Sequence, residues 1–321
     1  MDSNWRKDRI PDAPRTILYQ RITSPPLSLH KRTQFTPPNL QPTTVPNKIQ
    51  SDQQQSCQKL SNLSPPNIEK TNKAGRKKCV RKKKLTRRSL KKKEQLNEKL
   101  TIMGTNANGL KSKQESLINI LKMDSPQVFM VQETKAKRQN ELLVKGYELY
   151  ERVRKGKDGG GIVIGIKDDV ESTPVLISKH EDTEILVVEI AFKSMTIRFL
   201  TAYGPQEDAP EDTINNFYST LEEEILRCED DDCGLIAELD CNAKLGNQII
   251  TGDPNSMSSN GKIFWDILQR RECTVVNATE KCEGCITRSR TKAGIKEESV
   301  LDYVFVNALV APFINKMKIE K

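Results

Sequence analysis

The sequence has 321 residues, enough for one large domain or two small ones, and its net charge of +9 is unevenly distributed. Residues 1–100 hold 24 Lys and Arg against 7 Asp and Glu, whereas the remaining residues hold 28 against 36. Neither an apolar N-terminal segment nor a run of roughly 18 apolar residues is present, so we expect no signal peptide, no membrane span and a soluble, intracellular protein.

The first part of the chain is rich in proline and poor in apolar residues. Ten of the 16 prolines lie in the first 66 residues, with Gln and Ser between them. Such a composition buries too little apolar surface to offset the entropy that ordering costs. We therefore predict that residues 1–95 form a disordered, Pro-rich and basic segment.

A basic run at residues 76–93 ends this segment. Its charge density suits a phosphate backbone or the acidic groove of a nuclear import receptor, and a solvated linker without a specific partner is the alternative. The run predicts nuclear localisation. The residues predicted to bind nucleic acid there are Arg76, Lys77, Lys78, Arg81, Lys82, Lys83, Lys84, Arg87 and Arg88.

From residue 100 onward, predicted strands and helices alternate. Apolar runs predict strands at residues 101–105, 127–131, 160–166, 184–192, 195–202, 235–237 and 300–306. The strands at 184–192 and 195–202 are expected to form a hairpin around Lys193 and Ser194. Helical periodicity predicts helices at residues 114–123, 213–228 and 260–271. The alternation predicts one mixed-sheet α/β domain over residues 100–321.

The eight cysteines are irregularly spaced and too few for a disulfide scaffold, so we expect them to be reduced. Cys282 and Cys285 form a lone CxxC pair with no second pair and no adjacent histidine. We interpret this pair as an ordinary turn between strands rather than as a zinc or redox site.

Polar residues recur where predicted strands end. Asp240 and Asn242 follow the apolar run at 235–237, and their spacing of two puts a carboxylate and an amide on the same side of the chain. The others of this kind are Asn106, Asn108, Glu133, Tyr203 and Asp302. Asp302 lies between apolar residues of a strand, where a carboxylate is costly unless it is paired or ligated. The set is rich in oxygen and poor in nitrogen, which favours a hard cation such as Mg²⁺ over zinc.

These segments form an ordered series that resembles a known family. The series is Asn-x-Asn-Gly-Leu from Asn106, Gln-Glu-Thr around Glu133, Tyr-x-Pro from Tyr203, Asp-x-Asn-Ala-x-Leu-Gly from Asp240, Ser-Asn-Gly from Ser259 and Ser-x-x-Asp-Tyr from Ser299. It resembles the endonuclease/exonuclease/phosphatase family, whose relatives include DNase I and the abasic-site endonucleases. The Asp240 segment, the Ser259 segment and Thr287 are most similar to the endonuclease of LINE-type retroelements. The resemblance covers about residues 100–320.

The resemblance implies a fold, a chemistry and a role for each residue. The fold would be a DNase I-like four-layer α/β sandwich with two mixed sheets, and the reaction would be in-line phosphodiester hydrolysis that nicks DNA. Glu133 would bind Mg²⁺, and Asn108 stands where many relatives use a metal-binding Asp. Asp240 would orient or deprotonate the attacking water and would be held by Asn106. Asn242 and Tyr203 would hydrogen-bond the scissile phosphate, Asp302 would orient a catalytic histidine, and Thr287 would lie at the nucleic-acid-binding surface.

The sequence departs from the family pattern at that histidine. Relatives carry a Ser-Asp-His segment shortly after a strand like residues 313–319, whereas this sequence reaches Lys321 without one. His30 and His180 do not occupy an equivalent place, and we expect both to be exposed. Leu239, where relatives usually carry Gly, is a smaller departure. We therefore expect either a C-terminally truncated endonuclease or an inactive protein that retains the fold.

Three functions follow from these observations. The first is a Mg²⁺-dependent endonuclease with weak or absent activity, because losing one member of a catalytic unit removes most of the rate. The second is a nucleic-acid-binding pseudoenzyme that binds through the basic run. The third keeps the fold but acts on a phosphoinositide, another phospholipid or a poly(A) tail. The expected partner is DNA, with the RNA of a parent retroelement and its reverse transcriptase as further candidates, and no small-molecule cofactor is expected.

Overall fold

Strands and helices alternate along most of the chain. The computed structural model describes residues 17–23, 99–154, 159–175 and 183–320. The strands are β1 (Ile17–Thr23), β2 (Lys99–Asn106), β3 (Val128–Gln132), β4 (Tyr147–Arg152), β5 (Ile162–Lys167), β6 (Ser172–Val175), β7 (Ile185–Phe192), β8 (Met195–Tyr203), β9 (Gly234–Asp240), β10 (Thr274–Val275), β11 (Cys282–Glu283), β12 (Arg288–Lys292), β13 (Ile295–Ser299), β14 (Asp302–Val306) and β15 (Ile314–Glu320). The α-helices are α1 (Gln114–Asp124), α2 (Glu211–Asp230) and α3 (Ser259–Arg270). Short 3₁₀ turns occur at Leu110–Ser112, Val276–Ala278 and Ala311–Phe313.

The strands form two large mixed sheets and one separate hairpin. The seven-stranded sheet has the order β11-β15-β1-β2-β3-β5-β4, and the six-stranded sheet has the order β10-β14-β9-β8-β7-β6. Each sheet combines parallel and antiparallel neighbours, with β2 and β3 parallel in the first and β8 and β9 parallel in the second. Strands β12 and β13 pair only with each other in the part of the chain that the structure describes.

Three groups of buried apolar residues show that the molecule has four layers. One group lies between α1 and the seven-stranded sheet and includes Leu117 and Phe129. A second lies between the two sheets and includes Ile164 and Phe199. The third lies between the six-stranded sheet and helices α2 and α3, with Leu221 and Phe264 among its members. The predicted four-layer α/β sandwich with two mixed sheets is therefore confirmed.

Helix α3 shows how local sequence produces this packing. Ser258 precedes the helix with an extended backbone, and its hydroxyl accepts a hydrogen bond from the backbone N–H of Gly261, as an N-cap residue does. Phe264, Ile267 and Leu268 recur at helical spacing and are buried against the six-stranded sheet. The residues that start the helix and those that anchor it are thus adjacent in sequence. Among the described residues no helix is long and apolar enough to cross a membrane.

The predicted disorder of residues 1–95 is wrong for seven residues. Strand β1 lies inside the seven-stranded sheet and pairs antiparallel with β15 on one side and β2 on the other. Leu18 is in register with Gly104 and Ile319, so a short stretch between prolines supplies a central strand. The composition argument missed it because Ile17–Thr23 gains its hydrogen bonds from strands that lie far away in sequence. The rest of residues 1–95, including the basic run, lies outside the described residues.

Most of the elements predicted between residues 100 and 321 are present with shifts of a few residues. The predicted hairpin is confirmed, because β7 and β8 are antiparallel partners joined at Lys193, which has a positive φ of 57°. Strands β4 and β6 and the β12–β13 hairpin were not predicted. Their residues are mostly half-buried or exposed, so they lack the apolar runs on which the prediction relied.

Candidate active site

A pocket of about 560 Å³ opens at the ends of several strands. It brings together all eight residues that the sequence singled out around the domain: Asn106, Asn108, Glu133, Tyr203, Asp240, Asn242, Thr287 and Asp302. They come from both large sheets and from the segment before β12. Strand ends separated by as many as 196 positions in sequence thus meet at one polar surface.

Three of these residues stand in one row across the six-stranded sheet. Tyr203 ends β8 and is in register with Asp240, which ends β9. Asp240 is in turn in register with Asp302 at the start of β14. Because paired residues on neighbouring strands point to the same face, the phenol and the two carboxylates lie side by side.

Asn106 connects this row to the other sheet. Its side-chain amide donates to Oε1 of Glu133 at 3.1 Å and to Oδ2 of Asp240. Its Oδ1 accepts from the backbone N–H of Asn108 at 3.0 Å. Asn106 therefore holds two carboxylates from different sheets at once and leaves neither of them free to turn away.

Asp240 is the most enclosed carboxylate of the pocket. Burial raises its pKa well above the ordinary value, and the negative charges of Asp302 and Glu133 raise it further. Hydrogen bonds from the Asn242 backbone N–H, at 3.2 Å, and from Asn106 act in the opposite direction. A raised pKa in a cleft is the property of a carboxylate that can accept a proton, and a cation bound nearby would lower it again.

Tyr203 and Asn242 line the pocket beside Asp240. Asn242 has a left-handed backbone with φ of 45°, and its side-chain amide donates to the Gly204 carbonyl at 2.9 Å. A side chain at position 204 would come within 2.5 Å of the Cys241 carbonyl, so only glycine allows these two segments to approach. Burial and the carboxylates of Glu133 and Asp240 raise the pKa of Tyr203 to about 12. Its hydroxyl therefore keeps its proton at neutral pH and can donate a hydrogen bond.

Asp302 is buried and incompletely paired. The Thr287 hydroxyl accepts from the backbone N–H groups of Leu301 and Asp302, at 3.0 and 3.2 Å, and hydrogen-bonds the Asp302 carboxylate. Oδ1 of Asp302 has no hydrogen-bond partner among the described residues. Burial raises the pKa of Asp302 to about 6, while Thr287 lowers it. Thr287, predicted to bind nucleic acid, thus also holds Asp302 in place.

Glu133 and Asn108 were predicted to bind the metal, and both carry oxygen atoms suited to Mg²⁺. The ammonium of Lys135 contacts both of them, at 2.6 Å from Oδ1 of Asn108 and 3.6 Å from Oε2 of Glu133. Among the described residues no group of three or more Asp, Glu, His or Cys side chains is arranged to hold a metal ion. The residues fit Mg²⁺ by donor type, and with a single carboxylate they would need oxygen atoms from the substrate to complete its coordination.

A basic rim surrounds these residues and was not predicted from the sequence. Arg154, Arg288 and Arg290 line the pocket. The guanidinium of Arg154 pairs with buried Glu184 and lies 5.2 Å from the ring centre of Tyr203, a cation–π distance. Arg288 and Arg290 are two positions apart in β12, directly after Thr287. This alternation of basic residues beside Thr287 was the available signal for a basic face.

Glu238 is a further buried carboxyl group close to the pocket but not part of its lining. It lies two residues before Asp240 in β9, and a side chain at Gly104 would overlap its carboxylate. Burial raises its pKa well above the ordinary value, and Asp302 adds to the effect. Glu238 therefore fills the space between the sheets, where burial disfavours its charged form.

Several predicted features lie outside the described residues. These are the basic run with the nine Lys and Arg residues predicted to bind nucleic acid, His30 and His180. Cys282 and Cys285 are described and form no disulfide, and burial raises the pKa of Cys282, which pairs with β15, to about 11. Leu239 is fully buried against the helices.

Comparisons with known proteins match this geometry at the level of the fold. The endonuclease domain of TRAS1, a telomere-specific non-LTR retrotransposon, is 17% identical with a TM-score of 0.53, and the match covers 66% of this chain and 86% of that one. The AP endonuclease LMAP from Leishmania major is 16% identical with a TM-score of 0.53, over 66% and 80% of the two chains. The 3' phosphatase NExo from Neisseria, bound to product DNA hairpin, is 17% identical with a TM-score of 0.50, over 66% and 88%.

No family model matches the sequence, and no curated protein matches it. The structural neighbours are DNase I-like endonuclease/exonuclease/phosphatase proteins. The chain therefore has the DNase I-like fold.

Proposed function

We propose that the protein is a Mg²⁺-dependent phosphodiesterase of the retroelement endonuclease type, which nicks DNA and has weak activity as this chain. The observation that carries the proposal is the row of Tyr203, Asp240 and Asp302 on the floor of a pocket with an arginine rim. The DNase I-like fold of a retrotransposon endonuclease domain and of a phosphatase bound to DNA supports a phosphodiester substrate.

The residues of the pocket have distinct parts in this reaction. Asp240 accepts a proton from the attacking water, and Asn106 keeps the carboxylate aimed into the pocket. Tyr203 donates from its protonated hydroxyl to a phosphate oxygen, and the amide of Asn242 does the same when it turns from the Gly204 carbonyl. Arg154 and Arg288 add positive charge for the backbone phosphates. Mg²⁺ held by Glu133 would stabilise negative charge on the reacting phosphate.

The weak activity follows from Asp302. Its buried Oδ1 has no hydrogen-bond partner, and no histidine occurs among the described residues. A carboxylate in this state does not orient a proton donor for the leaving oxygen. The reaction then depends on Asp240 and on the phosphate-binding groups alone, and loss of one member of a catalytic unit usually removes most of the rate.

Nicking of supercoiled plasmid by the full 321-residue chain with Mg²⁺ tests the proposal. We expect slow nicking that requires the metal and that Asp240→Asn lowers at least about 100-fold. Glu238→Gln is the matched control, because it replaces another buried acid of β9 that does not line the pocket. Equal nicking by the wild type and Asp240→Asn would disprove the catalytic role, and fast nicking by the wild type would disprove the effect assigned to Asp302.

A second candidate is a nucleic-acid-binding pseudoenzyme, which the basic run at residues 76–93 favours. Deleting residues 1–95 would also remove β1 from the centre of its sheet, so the sharper variant replaces the twelve Lys and Arg residues of the run by Gln. A filter-binding titration against salt should then show weaker binding and a shallower salt dependence. Unchanged affinity would show that the run is a linker.

The remaining proposals concern localisation, RNA binding and other substrates. We infer nuclear localisation and binding of a parent retroelement's RNA from the same run, and a fluorescent fusion that stays cytoplasmic would contradict the first. A phosphoinositide, another phospholipid or a poly(A) tail is a weaker substrate proposal. The arginine rim suits an extended polyanion better than a single headgroup. Hydrolysis of such a substrate in preference to plasmid DNA would reverse that ranking.

A further inference from the structure

Lys135 places a positive charge on the two residues that would hold the metal. Its ammonium donates to Oδ1 of Asn108 at 2.6 Å and lies 3.6 Å from Oε2 of Glu133. A lysine ammonium and a divalent cation both seek these oxygen atoms. The contact therefore bears on how the pocket takes up a metal, which is the part of the proposed function that depends on Glu133.

The backbone around Lys135 keeps the ammonium at this place. Glu133 and Lys135 both have positive φ angles, 48° and 51°, which are uncommon for residues with side chains. The strained turn is clamped by hydrogen bonds on both sides. On one side Gly109 N donates to Glu133 O at 2.8 Å, and on the other Lys135 N donates to Gly160 O at 2.8 Å. Non-glycine residues keep such angles only where the surrounding structure enforces them.

The lysine stem lies beside Gly109. A Cβ at position 109 would stand 3.7 Å from the Lys135 Cδ, which is an ordinary van der Waals distance. The positive φ angle of Lys135 and the clamped turn together direct the ammonium back toward Glu133. Lys135 is thus a built part of the pocket, although about two-fifths of its side chain is exposed.

Within the pair itself the charges balance. Glu133 contributes one negative charge, Lys135 contributes one positive charge, and the amide of Asn108 is neutral. The ammonium therefore opposes the binding of a Mg²⁺ ion at this pair, whereas the nearby carboxylate of Asp240 favours it. Phosphate oxygens from a bound substrate would restore the missing negative charge.

We propose that the Lys135 ammonium is the resident cation of the Glu133–Asn108 pair and that a divalent cation binds there only by displacing it. The proposal rests on the proposed function, because it takes this pair as the metal site. It adds that metal binding depends on the substrate's phosphate. Without nucleic acid, the protein binds divalent cations weakly.

Titration of the full chain with Mn²⁺, followed by the electron paramagnetic resonance signal of the free ion and without nucleic acid, tests this. We expect Lys135→Met to bind Mn²⁺ about tenfold or more tightly than the wild type, and Lys135→Arg to bind no more tightly. Lys137→Met is the matched control, because it removes an exposed positive charge two residues away that does not line the pocket. Equal affinity of the wild type and Lys135→Met would overturn the proposal.

A second variant keeps the test decisive if Lys135→Met fails to fold, which circular dichroism reports. Lys135→Gln also removes the positive charge but keeps a side chain that can donate a hydrogen bond to Oδ1 of Asn108. It should therefore bind Mn²⁺ more tightly than the wild type. Unchanged affinity in this variant would also overturn the proposal. Tighter Mn²⁺ binding without any plasmid nicking would support the role of Lys135 while the proposed nuclease function fails.

Discussion

The two carboxylates on either side of Asp240 are paired in opposite ways. Glu133, on one side, accepts from Asn106 and has the ammonium of Lys135 3.6 Å away. Asp302, on the other side, has the Thr287 hydroxyl and the positive charge of Arg288 to lower its pKa, but its buried Oδ1 has no hydrogen-bond partner among the described residues. One carboxylate is partly exposed beside an ammonium, and the other is buried with one oxygen atom unpaired.

This difference shows what each side of the pocket is built to contain. Glu133 is partly exposed and has a cation beside it. Burial disfavours the charged form of Asp302, so its pKa rises to about 6 although Thr287 and Arg288 lower it. The contacts of the Glu133 side are therefore complete, whereas Oδ1 on the Asp302 side lacks a hydrogen-bond donor among the described residues.

The largest effect on stability should come from removing the Thr287 hydroxyl, which hydrogen-bonds the Asp302 carboxylate. Thr287→Val keeps the shape of the side chain but leaves the buried N–H groups of Leu301 and Asp302 without an acceptor. Chemical denaturation should show a loss of about 2–4 kcal/mol in the free energy of unfolding. In the matched control Thr220→Val, the lost hydroxyl contacts only the Asn216 carbonyl, so the loss should be near 1 kcal/mol or less. Equal losses of stability in the two variants would contradict a special role of Thr287.

The next largest effect is a gain in the free energy of unfolding, and the size of this gain depends on pH. Because the pKa of Asp302 in the folded protein lies above its ordinary value, the folded state gains stability from this group at low pH and loses it as pH rises through about 6. Asp302→Asn removes the ionisation, so it should be more stable than the wild type by about 1–3 kcal/mol at pH 7.5. The gain should vanish near pH 4. A gain that did not change between these pH values would contradict an ionising Asp302.

The smallest effect on stability should come from the Glu133 side of the pocket. Glu133→Gln removes the charge that Lys135 contacts but keeps the hydrogen-bonding shape, and the pair is partly exposed to solvent. We expect the free energy of unfolding to change by less than about 1 kcal/mol at pH 7.5. If Glu133→Gln instead stabilised the protein as much as Asp302→Asn, the two carboxylates would not differ in the way described above.

The sequence alone singled out polar residues that the structure brings together in one pocket. Asn106, Glu133, Tyr203, Asp240 and Asp302 each stand where an apolar strand meets a polar residue, and this local pattern needs no knowledge of the fold. It can be recognised because strand periodicity and the cost of burying a charge are properties of a few neighbouring residues. The four-layer sandwich, in contrast, was predicted from the resemblance of these segments to the endonuclease/exonuclease/phosphatase family.

The features that could not be predicted from the sequence depend on contacts between distant segments. Strand β1 exists through its pairing with β2 and β15, across 75 intervening residues in the first case, and its own composition resembles the residues around it. Arg154 faces the pocket through its pair with Glu184, and nothing in its local sequence distinguishes it from other surface arginines. Nothing in the local sequence distinguishes Lys135 from the other lysines. Only the strained turn in the folded structure directs its ammonium to Asn108.

The sequence by itself therefore determined which polar residues stand at the strand ends, and the order of its segments carried the family resemblance that predicted the sandwich. Only the tertiary structure decided which of those residues are paired, because hydrogen bonds and ion pairs depend on distances of a few ångströms between strands that the chain order does not specify. Those distances separate Glu133, which has Lys135 and Asn106 beside it, from Asp302, which has an oxygen atom without a partner.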